Sequence, residues 1–161
     1  MTDNAGSADT PAIRAIKQAG APHSVVVTEL ANSAEESAQL QGIDLGQLLR
    51  TIVVRRADDD YLFVLVPAGR RFDWAKLRAH LGVKRMSLPD ADEAKAATGY
   101  ERFTITPFGS TRAWPVIVDV SISDVPLVSI GGGRRGVNIH LKPRDLVSAL
   151  NAQTADVTVA E

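Results

Sequence analysis

Residues 49–70 read Leu-Arg-Thr-Ile-Val-Val-Arg-Arg-Ala-Asp-Asp-Asp-Tyr-Leu-Phe-Val-Leu-Val-Pro-Ala-Gly-Arg. Two β-branched or apolar runs, Thr51 to Arg55 and Tyr61 to Val66, flank the acidic turn Ala57 to Asp60, which is the pattern of a β-hairpin. Outward toward the N-terminus, a brief helical turn over Leu45 to Leu49 leads into it. Before that, Ser33-Ala-Glu-Glu36 has the spacing of a capping box, which predicts a helix to about Gln41 stopped by Gly42. His23 to Thr28, with three consecutive valines, reads as a buried strand. Pro11 opens a short amphipathic helix carrying Ile13 and Ile16 and closed by Gly20, and residues 1–9, small and polar, read as a flexible lead-in.

Outward toward the C-terminus, Asp73 caps a helix from Trp74 to Leu81 ended by Gly82, and Asp90 or Asp92 starts another that stops near Thr98-Gly99. Val116 to Val120, Leu127 to Ile130 and Val137 to Leu141 are short strands punctuated by Pro115, Pro126 and the glycines 131–133. Pro143 opens a last helix to about Leu150, and Asp156 to Val159 adds an edge strand. Strands and helices mix without strict βαβ alternation and without an internal repeat, so the expected class is α+β, one domain built on a mixed sheet.

At 161 residues, with 45% apolar and 23% charged side chains, the chain is long enough to bury a core without disulfides or metals. It has no cysteine, which excludes a thiolate metal site or a cysteine nucleophile and fits a cytoplasmic home. The N-terminus lacks the basic and apolar regions of a secretion signal, and no apolar run approaches the ~20 residues that span a bilayer, so no membrane partner is expected. Net charge is −1, yet cations gather in two stretches: Arg70, Arg71, Lys76, Arg78, Lys84 and Arg85 against Asp73, and Arg134, Arg135, Lys142 and Arg144 against Asp145. Shared on one face, they suit a nucleic-acid backbone; taken singly, each is also an ordinary solvated surface.

Two segments carry candidate chemistry. Gly99 and Gly109 punctuate the loop Thr98-Gly-Tyr … Thr106-Pro-Phe-Gly109, and a loop stiffened by proline before glycine can aim backbone N–H groups at an anion or oxyanion. Ser129-Ile-Gly-Gly-Gly-Arg-Arg-Gly136 can cradle phosphate, although it lacks the lysine spacing and following helix of a nucleotide-binding loop. A plain connection and a tight hairpin with exposed arginines remain open as alternatives. His23, His80 and His140 have no ligand spacing, so no metal is expected, and no Gly-x-Ser-x-Gly elbow occurs. Asp119 stands in an apolar strand, where a core-facing carboxylate must be paired; it reads equally as the end of the strand, at a turn.

In order and spacing, Leu49 to Val54, Leu65 to Arg70, Thr98-Gly-Tyr100, Thr106 to Gly109, Pro115 to Asp119, Gly132 to Ile139 and Leu141 to Val147 resemble the blocks of the YbaK-type editing domains associated with prolyl-tRNA synthetase. The resemblance covers about residues 10–157, and residues 10–161 are assigned to that domain. It implies an α+β fold with a barrel-like mixed-sheet core flanked by helices. The activity implied is trans-editing: hydrolysis of a mischarged small amino acid, such as cysteine or alanine, from proline tRNA. The family uses no cofactor; water, or in some members a substrate group, attacks while backbone amides of the glycine-containing loop polarise the ester.

Carried onto this chain, the resemblance makes Arg50, Phe108 and Gly109 the catalytic set. Thr51, Thr106, Pro107, Asp119, Gly131, Gly132 and Gly133 would bind substrate, and Arg70, Arg71, Arg134 and Arg135 would touch tRNA. The partners implied are the aminoacyl-tRNA acceptor end and prolyl-tRNA synthetase. Two residues depart from the pattern. Arg50 stands where the family has a lysine, a planar fork replacing a point charge. Phe103-Thr104 stands where it has a glycine pair, which predicts a reshaped loop or a narrowed pocket. A binding module of the same fold without the chemistry is the alternative.

Overall fold

The computed structural model describes residues 8–161. The hairpin forms as read: β2 (Leu49–Ala57) pairs antiparallel with β3 (Asp60–Pro67), Thr51 opposite Leu65 and Val53 opposite Phe63. The reversal is tight because Asp59 accepts φ +55°, a left-handed conformation that aspartate tolerates better than most residues. β3 is buried on both faces, and its period-2 alternation divides the interior. Tyr61, Phe63 and Leu65 enter the larger core cluster, whereas Leu62, Val64 and Val66 enter the smaller. Each such side chain contributes about 1.5–3 kcal/mol by leaving water.

The other elements follow from that strand. β5 (Val116–Asp119) lies parallel to β3, and β8 (Gln153–Ala155) parallel to β5, giving the mixed order β2-β3-β5-β8. A second sheet, antiparallel in the order β1-β7-β6, is made of β1 (Ser24–Val27), β6 (Val128–Gly131) and β7 (Val137–Leu141). A Leu48–Ser129 bridge joins it to the start of β2. Between them sits the larger cluster, which also takes Ile13 and Ile16 from α1 (Pro11–Ala19) and Leu146 from α5 (Pro143–Leu150). On the opposite side of β3, Leu77 of α3 (Trp74–Leu81) packs into the smaller cluster.

Helix ends behave as the sequence demands. Thr10, Ser33, Asp73 and Asp90 accept the amide three residues on, capping α1, α2 (Ala34–Gln41), α3 and α4 (Ala91–Thr98). The second half of the expected capping box is displaced: the Glu36 carboxylate accepts from the Asn32 amide, not from Ser33. The expected strand Val116 to Val120 ends at Asp119, because the Asp119 side chain caps a 3-10 turn over Val120–Asp124. β4 (Arg70–Phe72) pairs with β9 (Thr158–Ala160), two residues beyond the start expected for the edge strand. Of the expected lead-in, residues 1–7 lie outside the described residues, while Ala8 is buried and Asp9 pairs with Arg14.

Candidate functional site

The start of β2, the loop after α4 and the end of β6 converge on one cleft. Leu48, Leu49, Arg50 and Thr51 border it, with Arg102, Phe103 and Ile105 opposite and Gly131 and Asn138 completing a space of about 440 Å³. Arg50 is exposed, and one guanidinium nitrogen donates to the carbonyl oxygen of Arg70 at 2.8 Å. A guanidinium has five donors, so this anchor steadies the side chain and leaves the rest of the fork for a ligand. Asn138 donates through its amide to the Val26 carbonyl at 3.2 Å, which fixes its orientation.

The loop opposite carries backbone strain. Phe103 has φ +70°, a conformation that costs a non-glycine residue about 1–2 kcal/mol. The residue is 78% exposed, with the Arg102 guanidinium 4.8 Å from its ring centroid, so it borders the cleft without filling it. The phenylalanine therefore takes the left-handed conformation that a glycine would take. Thr104 donates its amide to the Glu101 carbonyl at 3.0 Å, whereas no described residue accepts from the amides of Phe103 or Ile105.

Thr106, Pro107 and Phe108, expected beside Arg50, are buried behind the cleft wall. There the loop packs against α1 and the β6–β7 hairpin. The buried Tyr100 hydroxyl, pushed up to about 12 by burial despite Arg14 nearby, stays neutral and donates to the Phe108 carbonyl at 2.6 Å. Gly109, at φ +74°, lies against the Pro11 backbone so closely that a Cβ would sit 2.5 Å from its carbonyl carbon. Thr10 donates to the Gly132 carbonyl, and a Cβ on Gly133 would touch Thr10, Tyr100 and Ala12. Of the three glycines expected at the site, only Gly131 borders the cleft. The loop thus presents residues 102–105 to it, earlier in the chain than Phe108 and Gly109.

Asp119 does not line the cleft. It is 1% exposed, and its carboxylate accepts from the Val157 and Ser121 amides at 3.0 and 3.1 Å and from the Ser121 hydroxyl. Burial pushes its pKa up, but the hydrogen bonds from Ser121 and Val157 together outweigh it and hold the group below the usual carboxylate range. Arg70 Nε stands 3.8 Å from this carboxylate and donates to Thr158 at 2.6 Å. Arg70 is therefore engaged by Asp119 and Thr158 through its side chain and by Arg50 through its backbone. Arg71, Arg134 and Arg135 are exposed, and Arg135 shares a second concavity with Phe103 at the rim.

Leu48, Leu49, Arg102, Ile105 and Asn138 are the lining residues that the sequence reading did not single out. Asn138 had a signal, a polar residue alternating with Val137 and Ile139; the leucines had none. His140 is buried, holds the Gln41 side-chain oxygen at 2.8 Å and has its pKa lowered by burial. Among the described residues, no group of three metal-ligating side chains occurs and no helix is long and apolar enough to cross a membrane.

The profile of the aminoacyl-tRNA editing domain matches residues 28–149. EbsC of Enterococcus faecalis, named as an inferred Cys-tRNA(Pro)/Cys-tRNA(Cys) deacylase, is 27% identical over 129 residues, 80% of this chain and 79% of that one. A proline–tRNA ligase of Thermosipho melanesiensis is 23% identical over 121 residues, which are 73% of this chain and 21% of the ligase. A crystal structure described as an inferred trans-editing enzyme for prolyl-tRNA synthetase matches at TM-score 0.85 and 24% identity, over 96% of this chain and 99% of that one, a likeness of fold.

Proposed function

The chain belongs to the aminoacyl-tRNA editing domain family, and from that premise we propose that it removes a mischarged small amino acid from tRNA in trans, with cysteine or alanine on proline tRNA as first candidates. One observation carries the reading: Arg50, the strained 102–105 loop and Gly131 meet at a cleft of about 440 Å³ open to solvent. A terminal adenosine and a small aminoacyl group suit that space. The acceptor end of tRNA is the partner, prolyl-tRNA synthetase is the enzyme whose errors are corrected, and the cytoplasm is the setting.

In this reading Arg50, steadied by the Arg70 carbonyl, holds the terminal phosphate or ribose region. Water adds to the ester carbonyl, forming a C–O bond and a tetrahedral oxyanion. The amides of Phe103 and Ile105, from which no described residue accepts, stabilise that charge in this reading, and one such donor is worth a few kcal/mol, about 10²–10³ in rate. The acyl C–O bond then breaks, the ribose oxygen leaves with the proton that the attacking water gives up, and the free amino acid departs. Thr51, half-buried on the wall, limits the room left for its side chain.

The test is release of labelled amino acid from a panel of mischarged tRNAs, with a rate above spontaneous hydrolysis on at least one expected. No release from any of them removes the enzyme reading. A second reading, a binding module without the chemistry, is favoured by the exchange of the family lysine for Arg50 and by Phe103 at φ +70°. Deacylation gained only in Arg50→Lys supports it.

A further inference from the structure

Three concavities lie in series along β2. The cleft ends at Thr51, which also borders a second space lined by Ile52, Val53, Leu88 and Pro89. Beyond the paired amides and carbonyls of Arg55 and Ser87 comes a third, of about 440 Å³, lined by Arg55, Arg56, Arg78, Lys84, Arg85, Met86 and Ser87. Five of its seven lining residues are cations.

Their pairing is unequal. Arg55 is engaged by Asp58 and Glu93 and Arg56 by Asp60, while no described carboxylate pairs with Arg78, Lys84 or Arg85. Arg78 lies in the last turn of α3, where the helix dipole favours a cation without any ligand. Lys84 and Arg85 follow the Gly82 cap and have no such reason to face two arginines already present. Like charges gathered in one concavity repel one another, and an anion shared among them relieves that repulsion. The buried Nε of Arg56 also lacks a hydrogen-bond partner.

We infer that this third concavity is an anion site that takes backbone phosphates of the tRNA acceptor stem, while the cleft takes the 3′ end. Arg56 lies six positions beyond Arg50, about 20 Å at the rise of a strand, a separation of several nucleotides. The serial arrangement sets a polarity: the acyl end at Arg50, the single-stranded tail along the middle space, the duplex at Lys84 and Arg85. Phosphate contact of this kind reads no sequence, so the site supplies affinity and orientation.

The inference rests on the editing reading for its ligand, and two measurements separate them. Binding of uncharged tRNA is followed by fluorescence anisotropy over a salt series for wild type, Arg78→Ala/Lys84→Ala/Arg85→Ala and, as control, Lys17→Ala, an exposed cation lining none of the three spaces. The triple variant is expected to bind at least tenfold more weakly, with a salt slope shallower by about 0.7–0.9 per lost contact. The control should match wild type. Hydrolysis of a short aminoacylated CCA-ended fragment, which ends before the stem, should not share the loss. Unaltered affinity in the triple variant, or an equal loss on the fragment, overturns the site. Stem binding by wild type with no deacylation anywhere leaves the site standing and removes the editing reading.

Discussion

The guanidinium of Arg50 donates to the backbone carbonyl of Arg70 at 2.8 Å, and Arg70 turns its own side chain to Thr158 and the buried Asp119. The exposed cation at the cleft is thereby fixed by a network rooted in the core. Arg50→Ala removes both the charge and the anchor. The expected loss in kcat/KM on mischarged tRNA is ten- to a hundredfold, about 1.4–2.8 kcal/mol of transition-state stabilisation, measured by initial rates. An Arg50→Ala rate equal to wild type takes Arg50 out of the site.

Phe103 is strained at φ +70° and is 78% exposed. Phe103→Gly relieves about 1–2 kcal/mol of strain while giving up a cation–π contact with Arg102 of about 0.5–1 kcal/mol and adding a similar chain-entropy cost. Urea unfolding should therefore place this variant within about 1 kcal/mol of wild type. Phe103→Val keeps the strain and adds β-branching, and should fall clearly below it. Equal stability for the two variants would mean that the left-handed conformation is not held in solution.

The hairpin at 49–70, the helix caps and the fold class were legible because each rests on local pattern: alternation, an acidic turn, a serine or aspartate before a helix and a glycine after it. The roles of Phe108, Gly109, Gly132 and Gly133 were not. A glycine needed for close approach to a ligand and one needed for close approach to Pro11 or Thr10 look identical in sequence; the partner lies about a hundred residues away. Asp119 reads as a carboxylate in need of partners; Ser121 lies two residues on, but Val157 and Arg70 belong to strands β9 and β4 and their approaches, too short to show alternation.

Asp119 makes acid sensitivity calculable in sign. Its folded pKa lies below the ordinary carboxylate value because hydrogen bonds from Ser121 and Val157 outweigh burial. The unfolded state therefore binds the proton more readily, so the stabilisation is fully present above about pH 4 and is lost as pH falls through the folded value. Asp119→Asn should cost about 1.5–3 kcal/mol at neutral pH and flatten the acid limb of stability against pH, followed by urea midpoints down to about pH 2. A parallel pair of curves would place the acid sensitivity elsewhere.

Gly109 tests the clamp that aligns the loop with α1. Its φ of +74° alone makes alanine unfavourable, and the added Cβ would lie 2.5 Å from the carbonyl carbon and oxygen of Pro11 and 2.7 Å from the Ala12 amide, backbone atoms that cannot turn aside. Gly20 has a similar φ of +71° with nothing within 4 Å of the added Cβ, so Gly20→Ala reports strain alone. Strain is worth about 1–2 kcal/mol. Gly109→Ala should exceed Gly20→Ala by at least about 1 kcal/mol, a further fall in Tm of roughly 2–4 °C for a chain of this size. Because Tyr100 and Phe108 hold the same loop, the variant should also lose deacylase activity when assayed well below its Tm, whereas Gly20→Ala should keep it. Equal Tm values for the two variants would show that the loop does not bear on α1, and the alignment of residues 102–105 with Arg50 would then need another source.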